Sequence, residues 1–358
     1  AFDEIGGEVV QCATFILTKC KPSTVGGIYY RLIDGKNSNE KEASFLRREN
    51  GLYGIKQSNF KKIPGSSIGY WISNIKLNAL SDNQTISSQF SPATGLQTGD
   101  NNRFIRLWFE VEEQYKNVKW FPLVNGGEVR KWYGNFQNYI YWYNEGEDIK
   151  KCKSSVLRNQ QFYKKAGISW NRIASKFISL RAFPKGCFFD QAGDSMFSED
   201  IEALHVCMGY LNTKVAKTFF DILAPTLNLT AGMIGKLPFK NIDNFPFLYD
   251  IVTQNIYISK LDWDAHETSW DFQENELIRL VNKQTRETGA SNFPLETVMM
   301  VYQAEWNDKF KQLHANEEEL NRQFIEIYGL QDELTPDVPL DEVTILQKGE
   351  IDIVDGGI

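Results

Sequence analysis

The spacing of apolar residues changes about halfway along this 358-residue chain. Between residues 60 and 189 it forms short aromatic and β-branched runs, such as Tyr139 to Tyr143, separated by clusters of Gly, Asn and Pro. Such runs and separators are typical of β-strands. From Ser198 onward apolar residues recur every three or four positions, which is the spacing of one buried helix face. The sequence therefore predicts an α+β fold: a β-rich domain with a long helix, followed by a mainly helical C-terminal region.

End signals place three helices. Ser198 suits an N-cap, since acidic residues fill the next turn, and Pro225 is expected to end this first helix. Pro294 suits the first position of a second helix, which runs to about Leu313. Asn316 is expected to cap a third helix, with Gly329 at its end.

The N-terminal segment predicts a small sheet. Apolar runs at 7–10, 13–17 and 28–33 are separated by turn-forming residues, and the charged stretch at 34–50 predicts a helix or an exposed loop. Residues 65–69 match GxSxG, the nucleophile elbow of many hydrolases, which requires a strand before the serine and a helix after it. Pro64 and two adjacent serines favour a turn before a strand at 70–72 instead. A serine hydrolase is therefore the weaker hypothesis.

Several kinds of site are excluded by the motifs. The chain has no GxGxxG, no GxxxxGK[ST] and no HExxH, and its 11 prolines include no Pro-Pro pair. The five cysteines lack CxxC spacing, so free thiols are expected and no metal site is predicted. No basic leader and no long apolar run is present, so we expect a cytoplasmic protein without a membrane span.

The charge is distributed unevenly behind a net value of −7. Residues 114–190 contain 14 Lys and Arg against 5 Asp and Glu, a surplus of +9. Residues 260–358 contain 8 Lys and Arg against 22 Asp and Glu, a deficit of −14. A polyanion responds to the local patch rather than to the net charge. The middle of the chain could therefore bind DNA, whereas the C-terminal part would be repelled by it.

The segment from Phe104 to Tyr143 holds 13 aromatic residues in 40, interleaved with basic side chains. Basic groups contact phosphates, Arg and Asn can pair with base edges, and aromatic rings can stack on an unpaired base. Most single rings are nevertheless expected to fill the core. The loop at 98–102 is a further candidate, although a plain turn explains it equally well. The predicted DNA-binding residues are Arg103, Lys119, Asn125, Arg130, Lys131, Asn135, Arg172, Arg181 and Lys185.

A set of short phrases along the chain resembles the PglX family, the adenine-specific DNA methyltransferases of BREX phage-defence systems. Two blocks are distinctive, 130–135 (RKWYGN) and 262–272 (DWDAHETSWDF). The other matching phrases are 2–11, 63–65, 69–71, 95–101, 120–122, 126–128, 169–171, 210–214, 224–228, 237–239, 319–321 and 328–330.

The resemblance implies that the chain has three functional segments. Segment 1–59 would hold the C-terminal strands of the methyltransferase core, 60–245 a target-recognition domain that binds DNA, and 246–358 a helical region with an acidic tail. In that family the S-adenosylmethionine site and the Asn-Pro-Pro-Tyr loop come earlier in the protein. The resemblance therefore implies S-adenosylmethionine as the cofactor of the parent enzyme and none for this chain.

Two main hypotheses follow for function. In the first, the chain recognises double-stranded DNA for a restriction-modification or phage-defence methyltransferase whose catalytic core lies elsewhere. In the second, it is an interaction scaffold, whose acidic helices bind other defence-system proteins while the aromatic region only fills the core. Salt-dependent duplex binding distinguishes them.

Overall fold

A computed structural model describes residues 13–17, 26–81, 84–173, 178–223, 228–240, 242, 245–290 and 292–346. The chain divides into two compact units, residues 1–81 and residues 82–358. Within the described ranges, no helix combines the length and the apolar composition needed to cross a bilayer.

The described residues of the first unit form one small sheet and two α-helices. Strands β1 (Gly27–Tyr30) and β2 (Gly51–Ile55) pair antiparallel, and α1 (Ser38–Leu46) and α2 (Asn74–Leu80) follow β1 and β2 respectively. Residues 13–17 are exposed and form no strand, and 70–72 form a turn, so both strand predictions are wrong. The predicted strand at 7–10 lies outside the described residues. The charged stretch at 34–50 contains α1, in agreement with one of its two predicted states.

In the second unit, the part of the chain that the structure describes forms two four-stranded sheets. Its strands are β3 (Ser91–Ala93), β4 (Ile105–Leu107), β5 (Trp120–Val124), β6 (Asn138–Tyr141), β7 (Gly167–Trp170), β8 (Leu180–Phe183), β9 (Phe188–Phe189) and β10 (Ser195–Phe197). One sheet has the order β3-β10-β7-β8 and is antiparallel throughout. The other has the order β4-β6-β5-β9, in which only β5 and β9 are parallel. Both the runs at 139–143 and 177–183 contain the predicted strands, but the run at 103–111 yields only three strand residues.

Aromatic side chains fill the core between these elements. One cluster includes Tyr133, Phe136, Phe189 and Phe197, and a second includes Phe104, Trp142 and Phe188. Of the 13 aromatic residues between Phe104 and Tyr143, six are buried, so about half of these rings stabilise the fold by burial, fewer than expected.

Helices cover the sheets and form the rest of the unit. Four are single turns: α3 (Ile86–Gln89), α4 (Asn101–Phe104), α5 (Glu147–Lys150) and α8 (Ala231–Ile234). The longer ones are α6 (Ile201–Leu211), α7 (Lys214–Leu223), α9 (Phe245–Asp264), α10 (Glu276–Thr288) and α11 (Leu295–Tyr328). Helix α6 packs on β7, β8 and α9, and α11 packs on α6, α7, α9 and α10.

Helix ends differ from the prediction in two places. The helix expected from Ser198 begins after Asp200, whose side chain accepts the Ala203 N–H, and it breaks at Asn212. Pro225, the predicted end, lies outside the described residues. The two helices expected between Pro294 and Gly329 are one 34-residue helix, with Asn316 buried in its interior. Gly329 does end it, at a φ of 68°.

The α+β fold class is confirmed. The boundary between compact units falls at residues 81 and 82, and α9 crosses the boundary expected at 245 and 246. The three-part functional division therefore stays a prediction.

Candidate functional site

The distinctive block at 130–135 is buried. The Lys131 Nζ lies 2.6 Å from Glu317 Oε2 on α11, and each side chain is 4% exposed. The Trp132 Nε1 donates to the second oxygen of the same carboxylate at 2.7 Å. The backbone N–H of Lys131 donates to the Thr344 hydroxyl. These bonds attach the block to α11 and to the following segment.

Arg130 forms the matching bond to α9. Its Nη2 lies 2.5 Å from Asp262 Oδ2, and its guanidinium stacks 5.0 Å from the Trp263 ring centroid. The other Asp262 oxygen accepts the backbone N–H of Leu346. The two distinctive sequence blocks therefore bind each other in the interior of the second unit.

Arg181 and Asn135 are buried as well. Arg181 lies on β8 and is fully buried, and its Nη2 donates to the Asn125 carbonyl at 3.1 Å and to Asn171 Oδ1 at 3.0 Å. Burial lowers the pKa of Arg181 to about 10, and Arg130 acts in the same direction. Asn135 donates to the Glu128 carbonyl.

Four predicted DNA contacts therefore need correction, namely Arg130, Lys131, Asn135 and Arg181. None is more than 7% exposed, and each donates a hydrogen bond within the protein. A phosphate cannot reach such buried groups without breaking the ion pairs of Arg130 and Lys131 or the hydrogen bonds of Asn135 and Arg181. The structure assigns these side chains to the protein interior.

The other five predicted contacts remain accessible. Arg103 and Lys185 are exposed, whereas Lys119, Asn125 and Arg172 are half-buried. The Lys119 ammonium lies 4.6 Å from the Tyr115 ring centroid and 5.3 Å from that of Tyr143. Their role in binding DNA stays a prediction.

One face of the sheet β4-β6-β5 carries both rings and cations. The register aligns Arg106 with Tyr139 and Trp120 with Tyr141, which places these side chains on the same face. The Trp120 ring centroid is 5.3 Å from that of Tyr141 and 5.8 Å from the Arg106 guanidinium. We call this surface the aromatic–basic face; its members are Arg106, Trp108, Lys116, Lys119, Trp120, Tyr141 and Tyr143.

Flanking residues complete the aromatic–basic face. The Lys116 ammonium lies 5.4 Å from the Trp108 ring centroid and pairs with the exposed Glu113 at 2.7 Å. The Trp108, Trp120 and Tyr141 side chains are half-buried, and Tyr143 is 42% exposed. Such a surface can hold phosphates through its ammonium groups and can offer ring faces to a base.

A second polar group lies where three loops meet, and sequence reasoning missed it. The Arg158 Nη2 donates to Gln97 Oε1 at 3.1 Å, and both side chains are half-buried. Arg158 and Arg172 both act electrostatically on Asp194, which is fully buried. We call Gln97, Arg158, Arg172 and Asp194 the polar loop cluster.

Burial dominates the electrostatics of that cluster. Burial raises the pKa of Asp194, although the Ala231 N–H, Thr94 and the two arginines oppose the rise. The Asp194 Oδ1 and the Arg158 Nη1 are both buried without a hydrogen-bond partner among the described residues. The loop at 98–102 adjoins this cluster, but the sequence of that loop gave no indication that Arg158 lies beside it.

The serine and cysteine motifs show no catalytic geometry. The GxSxG residues form a turn with Gly65 and Ser66 at positive φ, and a 3₁₀ helix at Gln57–Lys62 precedes them where the elbow requires a strand. Cys152, Cys187 and Cys207 are free, whereas Cys12 and Cys20 lie outside the described residues. Burial raises the pKa of Cys187 to about 12, so this thiol stays protonated at neutral pH.

The described residues do not fit a methyl-donor site. Such sites use a glycine-rich turn between a parallel strand and a helix, so that backbone N–H groups face the ligand. Among the described strands, the one parallel pair, β5 with β9, spans two residues of each. That the chain itself binds no S-adenosylmethionine stays a prediction.

These observations define an α+β protein with an accessible aromatic–basic face and a buried set of ion pairs between sheets and helices. No protein-family model matches the chain. An adenine-specific methyltransferase PglX of Lacticaseibacillus casei is 36% identical over 96% of this chain and 30% of the relative. An adenine-specific methyltransferase BrxX of Escherichia coli is 34% identical over 78% of this chain and 23% of the relative.

The chain belongs to the family of these adenine-specific methyltransferases, as the sequence resemblance predicted. It spans less than a third of the length of the curated relatives that it matches. A structure of the type IIL restriction-modification enzyme MmeI in complex with DNA has a TM-score of 0.41 at 11% identity, over 71% of this chain and 34% of that one. That score is too low to establish a shared fold.

Proposed function

We propose that this chain is the DNA-recognition part of an adenine-specific DNA methyltransferase used in phage defence. It grips double-stranded DNA and selects the target sequence for a catalytic core outside the chain. That core would use S-adenosylmethionine in the cytoplasm, and other defence-system proteins would be further partners.

The surplus of cations that remains at the surface carries this proposal. Of the 14 Lys and Arg in residues 114–190, three are buried and Lys176 lies outside the described residues. The other ten are exposed or half-buried, whereas only four of the five acidic residues in this range reach the surface. Because surface cations release counterions from DNA, such an excess supports duplex binding.

The contacts divide by chemistry. Lys119 and Lys185, together with Arg103, would hold phosphates, and the rings of the aromatic–basic face would pack beside the backbone. Asn125 and Arg172 are half-buried, and side chains of this kind can pair with base edges. The acidic helices would face away from the duplex.

Binding of the 358-residue chain to a mixed-sequence duplex, followed by fluorescence anisotropy over a range of salt concentrations, tests the proposal. We expect affinity to fall steeply with salt. Lys119→Ala and Lys185→Ala should each weaken binding to all sequences alike and lower the log–log salt slope by about one. Lys311→Ala, an exposed cation on α11, is the control and should leave the slope unchanged.

The alternative is an interaction scaffold without DNA readout. It is favoured by exposed apolar side chains on α10 and at the start of α11, where Ile278, Leu295 and Met300 are 55%, 67% and 65% exposed. A chain that binds no duplex even at low salt would support the scaffold and contradict DNA recognition.

A further inference from the structure

We propose that the polar loop cluster reads the edge of a base pair, with Arg158 and Gln97 as the contacting side chains. This inference rests on the proposed function and names a specificity site within it. The predicted contact Arg172 belongs to the same site, whereas Arg158 and Gln97 were absent from the sequence-based set.

Backbone pairing fixes the two contacting residues relative to each other. The N–H of Gln97 donates to the Val156 carbonyl at 2.8 Å, and the N–H of Val156 donates back at 2.9 Å. The Ser154 hydroxyl donates to the Gly99 carbonyl, and the Asn159 side chain donates to the Thr94 carbonyl. The loop at 94–99 and the segment at 154–159 therefore form one rigid unit, and the Gln97 and Arg158 heads need little ordering on binding.

The third loop brings in the other two members of the cluster. The N–H of Arg172 donates to the Ala192 carbonyl at 3.2 Å, and the N–H of Gln191 donates to the Leu96 carbonyl at 3.1 Å. This arrangement places Arg172 and Asp194 beside the segments at 94–99 and 154–159. Both Arg158 and Arg172 act electrostatically on Asp194. Asp194 attracts Arg158 electrostatically without a hydrogen bond or ion pair between the two among the described residues.

Unfilled hydrogen-bonding capacity points to a ligand. The Arg158 Nη1 is buried and has no partner among the described residues, which is costly, so turning this half-buried side chain outward to a ligand would relieve that cost. Arg158 donates to Gln97 through Nη2, which leaves the amide nitrogen of Gln97 free to donate elsewhere. An arginine and an amide side by side match the acceptor and donor pattern of base edges in the major groove.

The composition of the cluster favours a base edge over a phosphate. A neutral Gln97 amide adds nothing to counterion release, and half-burial restricts both side chains to one direction. Exposed cations stand beside the same two segments, namely Arg103, Lys151 and Lys153. Those flexible ammonium and guanidinium groups suit the backbone, which leaves Arg158 and Gln97 for the bases.

Selection from a randomised duplex library by the 358-residue chain, followed by competition binding on single-base-pair variants, tests the assignment. Arg158→Lys keeps the positive charge and removes the planar guanidinium with its paired N–H donors. Gln97→Met keeps the side-chain length and removes the amide. Both should weaken binding to mixed-sequence duplex far less than binding to the preferred sequence. Both should lose about tenfold or more of the preference at one base pair or at two adjacent ones. Gln97→Met keeps the test valid if Arg158→Lys does not fold.

Lys153→Ala is the matched control, because it removes an exposed cation next to the segment that carries Arg158. It should weaken binding to every sequence alike and leave the preference intact. Three outcomes would overturn the inference but not DNA binding itself. They are a sequence preference that survives both variants, an equal loss of affinity for all sequences, and a parent chain that binds duplex without preference. A parent chain that binds no duplex would overturn the proposed function, and this inference with it.

Discussion

Lys131 illustrates how a single buried charge ties distant parts of the chain together. Its partner Glu317 lies 186 positions later, and the pair is almost fully excluded from water. The desolvation cost of such a pair is offset only while both charges are present. The side chain therefore acts as a connection between the sheet region and α11.

Removing the lysine charge should destabilise the fold strongly. We expect Lys131→Met to lower the free energy of unfolding by about 3–5 kcal/mol, because Glu317 stays buried without its partner. Lys131→Met combined with Glu317→Gln should recover part of this loss, since the introduced amide is neutral and can still accept the Trp132 N–H. Urea unfolding measures both.

The control for that experiment is the exposed pair Lys151–Glu147, in which the side chains are 66% and 55% exposed. Lys151→Met should change the free energy of unfolding by no more than about 1 kcal/mol. An equally small effect of Lys131→Met would contradict the role given to the buried pair.

Asp190 should make stability depend on pH. Burial raises its pKa from 3.8 to about 6, although the N–H groups of Ala192 and Gly193 donate to its Oδ1. A carboxyl group whose folded pKa is raised stabilises the fold fully below about pH 4, and that contribution is lost as pH rises through about 6. Above that pH, ionisation of Asp190 costs on the order of 3 kcal/mol.

Asp190→Asn keeps an oxygen acceptor for both N–H groups and removes the titration. Urea midpoints of the two proteins between pH 4 and pH 7 should show the parent chain losing stability relative to the variant as pH rises. A difference that stays constant over this range would mean that Asp190 is ionised throughout.

The pattern of cations among aromatic residues predicted the surroundings of some candidate contacts and not of others, and the difference has a physical reason. Cations among aromatic residues suggested Lys119, which does lie accessibly against two rings, although its contact with DNA stays a prediction. The same pattern around Arg130 gave the wrong environment, because its partner Asp262 is 132 positions away. Local sequence carries no information about a counter-ion delivered by a distant helix.

At the scale of elements, the break between α6 and α7 shows a side chain overriding helical periodicity. The Asn212 Oδ1 accepts the Leu180 N–H at 2.8 Å, and its Nδ2 donates to the Leu180 carbonyl at 3.1 Å. Asn212 therefore completes the edge of β8 as another strand would. Thr213 then begins α7, since its hydroxyl accepts the Ala216 N–H.

Asn212→Ala should remove both bonds to the strand edge. We expect the free energy of unfolding to fall by about 1–3 kcal/mol, because the buried N–H of Leu180 loses its acceptor, whereas the Leu180 carbonyl keeps the Trp132 N–H. Asn282→Ala on α10 is the matched control, as its amide binds Glu274 in full contact with solvent. Its effect should stay within about 0.5 kcal/mol. Equal effects of the two substitutions would mean that Asn212 does not hold the strand edge.

In α11 the sequence predicted a break that the structure does not have, because Asn316 resembles a helix-capping residue. Asn316 donates to Asn255 Oδ1 and to Gln254 Oε1, both at 2.8 Å, so its amide is satisfied by α9 instead of by a helix terminus. The apolar stripe on both sides of Asn316 was predicted correctly. Joining the two halves required knowledge of the neighbouring helix.

For the whole molecule, charge and architecture are related. Surface cations concentrate on the sheet-bearing part of residues 82–358, and acidic residues concentrate on α10, α11 and the segment beyond. The buried pairs Arg130–Asp262 and Lys131–Glu317 join these oppositely charged parts inside one compact unit. Under the proposed function, a duplex attracted to the sheets would be repelled from the acidic helices, and this would set its direction of approach.

Residues 82–358 should therefore suffice for duplex binding. This unit has its own core and contains every predicted contact residue together with the polar loop cluster, so we expect it to fold alone. Its salt slope and its preference among duplexes should equal those of the 358-residue chain, measured by the same anisotropy titration. Residues 1–81, produced separately, should bind at least about tenfold more weakly. Suppose that the 358-residue chain binds duplex, whereas residues 82–358 unfold cooperatively and yet bind none. The DNA-contacting surface must then include the first unit, and the charge surplus over the sheets would not be what attracts the duplex.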